Sequence, residues 1–427
     1  MKESILSIRR HVSIICLILF CTGFPSISMA QWSEPEIVWN DAWDEPRGLD
    51  IDDSGTRLVT LNPSSGTDEN NRSIEVSEQV LGAWQTPIVL AQNGHYSTEP
   101  FQQFPQITTP VISGDGETIV YLGHTGTTYA IYFSDRVGGI WTTPTALATG
   151  LDTHHHWLSL SRDGDTLALS NYPFLADLHV YVMTRDQQGW SAPVQVDSGN
   201  MGGQYPSLSA DGTRLVWVGN AKVTYSRFLD GSWSAPQYLT SNDWSEYQVE
   251  YPQMAADGAA LFYWYVTLED NGGSYTKVSQ DLYVMRRRGE SWNAPEKVNV
   301  DPVTPANDIV VAATADKHAS RLVYTRPVIH GDVIDSSNLE ISEWQHGTTW
   351  SVASLVVQDG YGNYNRFPQL TPDGLSLFFD GRLRYTPSYV ESALWEMETA
   401  EEPPPVYTIF SDGFESGSPT QWSAVVW

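Results

Sequence analysis

Two short patterns alternate along almost the whole chain, and nothing else in the sequence restricts its fold as much. The first reads Ser113-Gly114-Asp115-Gly116, Ser161-Arg162-Asp163-Gly164, Ser209-Ala210-Asp211-Gly212, Ala255-Ala256-Asp257-Gly258 and Thr371-Pro372-Asp373-Gly374, each followed by an apolar run such as Leu215-Val216-Trp217-Val218. Weaker copies stand at Asp53-Ser54-Gly55 and Asp316-Lys317-His318. An Asp-Gly pair accepts the positive φ of a tight hairpin turn, and its carboxylate caps turn N–H groups, so these aspartates are structural. The second pattern is a tryptophan with a proline three residues on: Trp84 and Pro87, Trp141 and Pro144, Trp190 and Pro193, Trp233 and Pro236, Trp292 and Pro295, Trp32 and Pro35, with Trp350 lacking the proline. Strand-like runs such as Asp281-Leu282-Tyr283-Val284-Met285 precede them. One repeat thus holds four strands: A ends in the Asp-Gly turn, B leaves it, C is the alternating run, and D opens at the tryptophan.

Seven turns and seven tryptophans are out of phase, because Trp32 precedes the first turn and the last turn has no tryptophan after its C strand. The missing D strand of the last repeat can come only from Trp32 to Val38, which closes a ring. Closure removes the open strand edges that are the usual hazard of all-β chains. The expected fold is all-β, a seven-bladed β-propeller of four-stranded blades completed by the N-terminal strand.

The Ser-x-Asp-Gly-x-x-Leu-x-Phe/Trp turn followed by an Asp-Leu-Tyr-Val strand resembles the WD40-like (PD40, TolB-type) propeller repeats over roughly residues 31 to 400. The resemblance implies a fold more than an activity, since such propellers serve as binding platforms, as accessory domains of peptidases and, in divergent forms, as glycosidases and lyases. The first repeat departs from the pattern at Ser54 and the sixth lacks a glycine after Asp316, so altered turns are expected in both.

Lys2, Arg9 and Arg10 precede an apolar run from Val12 to Phe20 that is too short to span a bilayer, and Ser28 and Ala30 suit a processing site. Residues 1–30 are therefore expected to be a signal peptide, with the propeller at 31–400. Both cysteines fall in that leader, so no disulfide is expected in the exported chain, which would be periplasmic or extracellular. Glu401-Glu402-Pro403-Pro404-Pro405 opens an extended linker at 401–406. The remainder, 407–427, resembles the acidic Asp-Gly-Phe-Glu-Ser-Gly…Trp tails of exported proteobacterial proteins. With 51 acidic against 23 basic residues and a formal net charge of −28, the chain is a poor partner for nucleic acid. No further segment reaches membrane-spanning length, and a monomer is expected.

The connections joining A to B and C to D are short in every repeat, whereas the B–C and D–A connections carry the insertions. Insertions on one face of a rigid scaffold mark the expected binding surface. Its loops bring aromatic residues, including Trp43, Trp157, Trp244 and Tyr364, together with acids such as Glu99. The residues before the aromatic-proline pairs of strand A, His156, Gln204, Glu250 and Arg366, are expected around the channel mouth. Aromatic planes beside polar groups suit a protein, peptide or glycan ligand. The pairs themselves, Tyr205-Pro206, Tyr251-Pro252 and Phe367-Pro368, are read chiefly as packing between blades.

Three adjacent histidines, His154-His155-His156, cannot all face one ion on a strand, so no metal site is assigned. No cofactor is implied. The chain lacks a Gly-x-Ser-x-Gly elbow, a His-Glu-x-x-His motif and a phosphate-cradling glycine loop, and no catalytic residue is assigned. The expected role is a non-catalytic binding platform. The alternative is a carbohydrate-active enzyme, a glycosidase or polysaccharide lyase, using carboxylates among Asp44, Glu99, Asp243, Glu246 and Glu250 at the channel mouth.

Overall fold

The computed structural model describes residues 32–41, 48–62, 72–94, 110–125, 128–151, 155–172, 178–197, 202–241, 247–272, 275–298, 312–330, 333–345, 349–357, 365–386, 389–400 and 403. Among them every regular element is a β-strand, and every strand pairing is antiparallel. The expected leader at 1–30 and the tail at 407–427 lie outside the described residues. No helix of the described residues is long and apolar enough to cross a membrane.

The expectation of seven separate four-stranded blades needs correction, because the hydrogen bonds define six sheets. Five stand alone as blades, and the sixth is a ten-stranded sheet running from Leu49–Ile51 to Thr145–Ala146. Its two halves meet through one paired position, Gly94 opposite Gly123. Four of the five blades have five strands rather than four, because strand D is broken into two pieces. In one of them Gly189–Trp190 and Val194–Gln195 both pair with strand C, His179–Asp186. Pro193 sits in the gap, where its missing N–H interrupts the ladder.

The remaining blade confirms ring closure. Glu36–Asp41 lies antiparallel beside Tyr389–Glu398, with Glu36 opposite Glu396 and Ile37 opposite Trp395. The Ser33 N–H donates to the Glu398 carbonyl (2.8 Å), and Trp32 bridges to Thr399.

The repeated tryptophans are wedges between blades. Trp190 meets Phe133 of the preceding repeat edge-on at 6.4 Å, and Trp292 meets Tyr225 at 5.4 Å. Trp141 and Trp233 pack against apolar clusters that include Val59 and Val76, and Val180 and Val182, respectively, again from the repeat before. Trp32, completing the last blade, lies under the Arg321 guanidinium at 5.7 Å and against a cluster containing Val323 and Leu339. Burying an aromatic face between two sheets combines area burial with specific ring geometry, which explains one tryptophan per repeat.

The A–B turns behave as the Asp-Gly pattern predicts. The Ser113 hydroxyl donates to Asp115 (2.6 Å) and accepts the Thr118 N–H (2.9 Å), and the same set recurs at Ser161, Ser209 and Thr371. In the first and sixth repeats the turns are altered: Ser54 takes the aspartate place of the first, as expected, whereas the alignment of the sixth is corrected, with His318 in the aspartate place. Asp52 and Asp316 occupy the serine place, each carboxylate accepting the N–H five residues on, from Arg57 (3.0 Å) and Arg321 (2.6 Å). Ala319 takes the glycine place of the sixth turn at φ +49°.

These turns also bond to one another. The N–H of Asp53 donates to Gly114, Gly114 to Arg162, Arg162 to Ala210, Ala210 to Ala256, Asp257 to Lys317 and Lys317 to Pro372. Pro372 has no N–H to continue toward Asp53, so the belt is interrupted between the last repeat and the first.

Candidate functional site

Strand A builds the site. Its pairing with strand B shifts register between Gln204 and Ser207, between Glu250 and Gln253, and between Arg366 and Gln369. The shift coincides with the aromatic-proline pair. Proline cannot donate to the ladder, and Tyr205 and Tyr251 adopt φ of +55° and +51°. A left-handed conformation costs a non-glycine residue roughly 1–2 kcal/mol. The buried rings offset that strain by packing across blades, Trp157 on Tyr205 and Tyr205 on Tyr251, each with centroids 4.4 Å apart.

Beyond the bulge, strand A of each repeat faces a common axis. A cavity of about 260 Å³ is lined by Asp50, Val111, Ser159, Ser207, Gln253 and Gln369, with Tyr205, Tyr251 and the strand A prolines on the side of the long connections. A narrower space of about 160 Å³ continues toward the turns, past Thr314 and Arg162. Sheets arranged radially about a channel, with the first and last strands paired, define the architecture. The chain is a β-propeller.

The propeller's channel wall is stitched by side chains. Ser159, Ser207 and Thr314 accept the N–H groups of Leu208 (3.0 Å), Met254 (3.0 Å) and Leu370 (3.1 Å) in the next repeat. Asp50 occupies the same place in the first repeat and accepts the Ile112 N–H at 2.8 Å. Burial pushes the Asp50 carboxyl up to about 6, against the opposing pull of the Arg162 guanidinium and two backbone N–H groups. Arg162 itself pairs with Asp53 and donates to the Ile51 carbonyl at 3.1 Å.

The expected site residues are dispersed by the structure. Glu250 is buried, bonded to Lys277 (2.6 Å) and to the amides of Gln248 (2.5 Å) and Gln280 (3.1 Å). Trp157 is buried in the ring stack, and Gln204 is half-buried; neither they nor Glu250 line the channel. The extra residue of the bulge resets which side chains face the axis, which displaces the expected ring by two or three positions. His156 and Arg366 lie in strand A, with side chains outside those described. Trp43, Glu99, Trp244 and Tyr364 lie outside the described residues, as do Asp44, Asp243 and Glu246.

Sequence reasoning missed Asp50. Its signal was available: two residues before the first turn position stand Ser159, Ser207 and Thr314 in three repeats, and a carboxylate in the first.

A second polar cluster joins His179 to Asp197 at 2.8 Å, with Asp197 also accepting the Val180 N–H at 3.1 Å. Burial raises the Asp197 carboxyl in spite of those bonds. His155 is buried beside Asn171 (3.2 Å). Among the described residues, no three His, Cys, Asp or Glu side chains gather as metal ligands.

Among solved structures, the propeller superimposes on Kuenenia stuttgartiensis hydrazine synthase with a TM-score of 0.51 at 11% identity, over 84% of this chain and 96% of that one. That likeness concerns the fold alone. TolB from Acinetobacter baumannii aligns with a TM-score of 0.41 at 15% identity, covering 74% of this chain and 67% of that chain. A putative TolB from Agrobacterium tumefaciens gives 0.39 at 15% identity, covering 62% and 88%. No family model and no curated protein matches the sequence.

Proposed function

We propose that this propeller is an exported, non-catalytic platform that binds a protein, peptide or glycan on the face bearing its B–C and D–A connections. The observation carrying the reading is the unequal reach of the B–C hairpins. Strands Thr166–Asn171 and His179–Asp186 have 6 and 8 residues, whereas Ala260–Asp270 and Tyr275–Arg288 have 11 and 14. Arg321–His330 and Val333–Gln345, with 10 and 13 residues, are similarly long. Extended hairpins on one rim of a rigid ring make a wall for a bound partner. Trp43, Glu99, His156, Trp157, Gln204, Trp244, Glu250, Tyr364 and Arg366 remain the proposed neighbourhood of that surface, with Trp157 and Glu250 acting as its buried supports.

Export and monomeric state belong to the same proposal.

Glycan arrays and peptide libraries probed with the purified chain test the platform, alongside reducing-sugar release from polysaccharides. Binding that disappears when residues 269–276, the tip of the Ala260–Asp270 and Tyr275–Arg288 hairpin, are replaced by a two-residue turn supports it. Sugar release abolished by one carboxylate substitution would overturn it in favour of a glycosidase or lyase.

A further inference from the structure

A carboxylate stands at Asp50 where three sister repeats need only a hydroxyl. Ser159, Ser207 and Thr314 each accept one N–H from the next repeat, and Asp50 performs that task with Oδ2 while Oδ1 accepts the Ile51 N–H at 2.9 Å. A carboxylate offers about four lone-pair sites, so about half its acceptor capacity is left for the channel. Stability alone would favour the hydroxyl, because burying an ionisable group is costly.

The surroundings define what such a group can hold. Among the described residues lining the two channel spaces, Asp50 is the one acid and Arg162 the one base. Arg162 is committed to Asp53 and the Ile51 carbonyl. Asp50, Asp53 and Arg162 together carry one net negative charge when Asp50 is ionised. Toward the long connections, Tyr205, Tyr251, Pro206 and Pro252 give the cavity an apolar collar. The cavity volume of about 260 Å³ admits an alkyl chain with a polar head, and the net charge of −28 draws cations to the molecule.

We propose that the channel binds a primary alkylammonium group, a peptide's amino end or a lysine side chain, with the ammonium on Asp50 and its stem against Tyr205 and Tyr251. The inference rests on the platform reading for the direction of entry, from the long-connection face. The charged and titratable groups facing Asp50 are Arg162 and Asp53, with the Tyr205 and Tyr251 hydroxyls in the same cavity region. Both tyrosines are held protonated by burial, so Asp50 sets the pH response.

Calorimetric titration of the purified chain with n-butylammonium chloride tests the site, with n-butanol and calcium chloride as comparators. Saturable binding at pH 7.5, at least tenfold weaker at pH 5 and at least tenfold weaker in Asp50→Ser, is the expected result. That variant installs the sister repeats' residue and keeps the bond to Ile112, so its melting curve should report an intact fold. Competition by a free-amino-terminus peptide or by an acetylated peptide containing lysine then separates the two sources of the ammonium. Equal binding by the parent and Asp50→Ser, no saturable n-butylammonium binding, or binding of calcium alone would overturn the proposal. Shortening residues 269–276 tests the platform separately, since it keeps Lys277 and Gln280 on Glu250 and should leave n-butylammonium binding unchanged.

Discussion

The indole N–H of Trp84 donates to the carboxylate of Glu396 across 2.7 Å, joining residues 312 positions apart in the chain. Trp84 belongs to the first repeat and Glu396 to the last, and the Trp84 ring also meets Phe378 edge-on at 5.9 Å. The seam of the ring is thus held by the tryptophan wedge used between other repeats, at the place where Pro372 breaks the backbone belt.

Burial raises the Glu396 carboxyl above its ordinary range, only partly opposed by the Trp84 bond. The folded state therefore favours the protonated acid. Stability from this group is fully present below the ordinary carboxyl pKa and is lost as pH rises through the raised one. Glu396→Gln, which retains an acceptor, should melt higher than the parent at pH 8 and converge with it in acid. Glu396→Leu should lose about 1–3 kcal/mol by leaving the indole N–H unpaired. Thermal melts of both variants across pH check the sign.

Asp50 follows the same rule with a larger shift. Its carboxyl, pushed up to about 6, stays protonated in the folded chain until the pH approaches that value, while the unfolded chain ionises near pH 4. Folding stability should fall by up to ~3 kcal/mol between about pH 4 and pH 6 from this group. Urea unfolding of Asp50→Ser should lack that decline; an identical pH profile for both proteins would contradict it.

Closure is tested by two truncations. Removing residues 32–41 strips the outer strand from the last blade and exposes the edge of Tyr389–Glu398. Removing residues 404–427 leaves every described sheet intact. The first should lower the melting temperature steeply and promote association through the bare edge, while the second should change it little.

Turn packing predicts a difference between two glycines of like conformation. Gly82 (φ +77°) has open space where a Cβ would go, but a Cβ on Gly212 (φ +63°) would meet the Thr166 Oγ1 of the preceding repeat at 2.5 Å. Both alanine variants carry the cost of a left-handed residue, about 1–2 kcal/mol. Gly212→Ala should be destabilised further, and chemical denaturation that finds the two equal would remove the turn-to-turn contact from the account.

Patterns of short range were readable from the chain. Asp-Gly turns and tryptophan-proline strands act within a dozen residues, and their phase offset disclosed that the segment from Trp32 to Val38 must complete the last blade. The binding-face residues were less legible, because their identity depends on which side chains of strand A face the axis.

By itself the sequence determined an all-β ring sealed by its two ends, because hairpin chemistry is local and an orphan strand admits one partner. Tertiary structure alone decided that Glu250 is spent on Lys277, that Tyr205 and Tyr251 bulge strand A, and that Asp50 reaches the channel. Those outcomes depend on register and on contacts between repeats far apart in the chain, where a single extra residue in a strand exchanges the faces of everything before it.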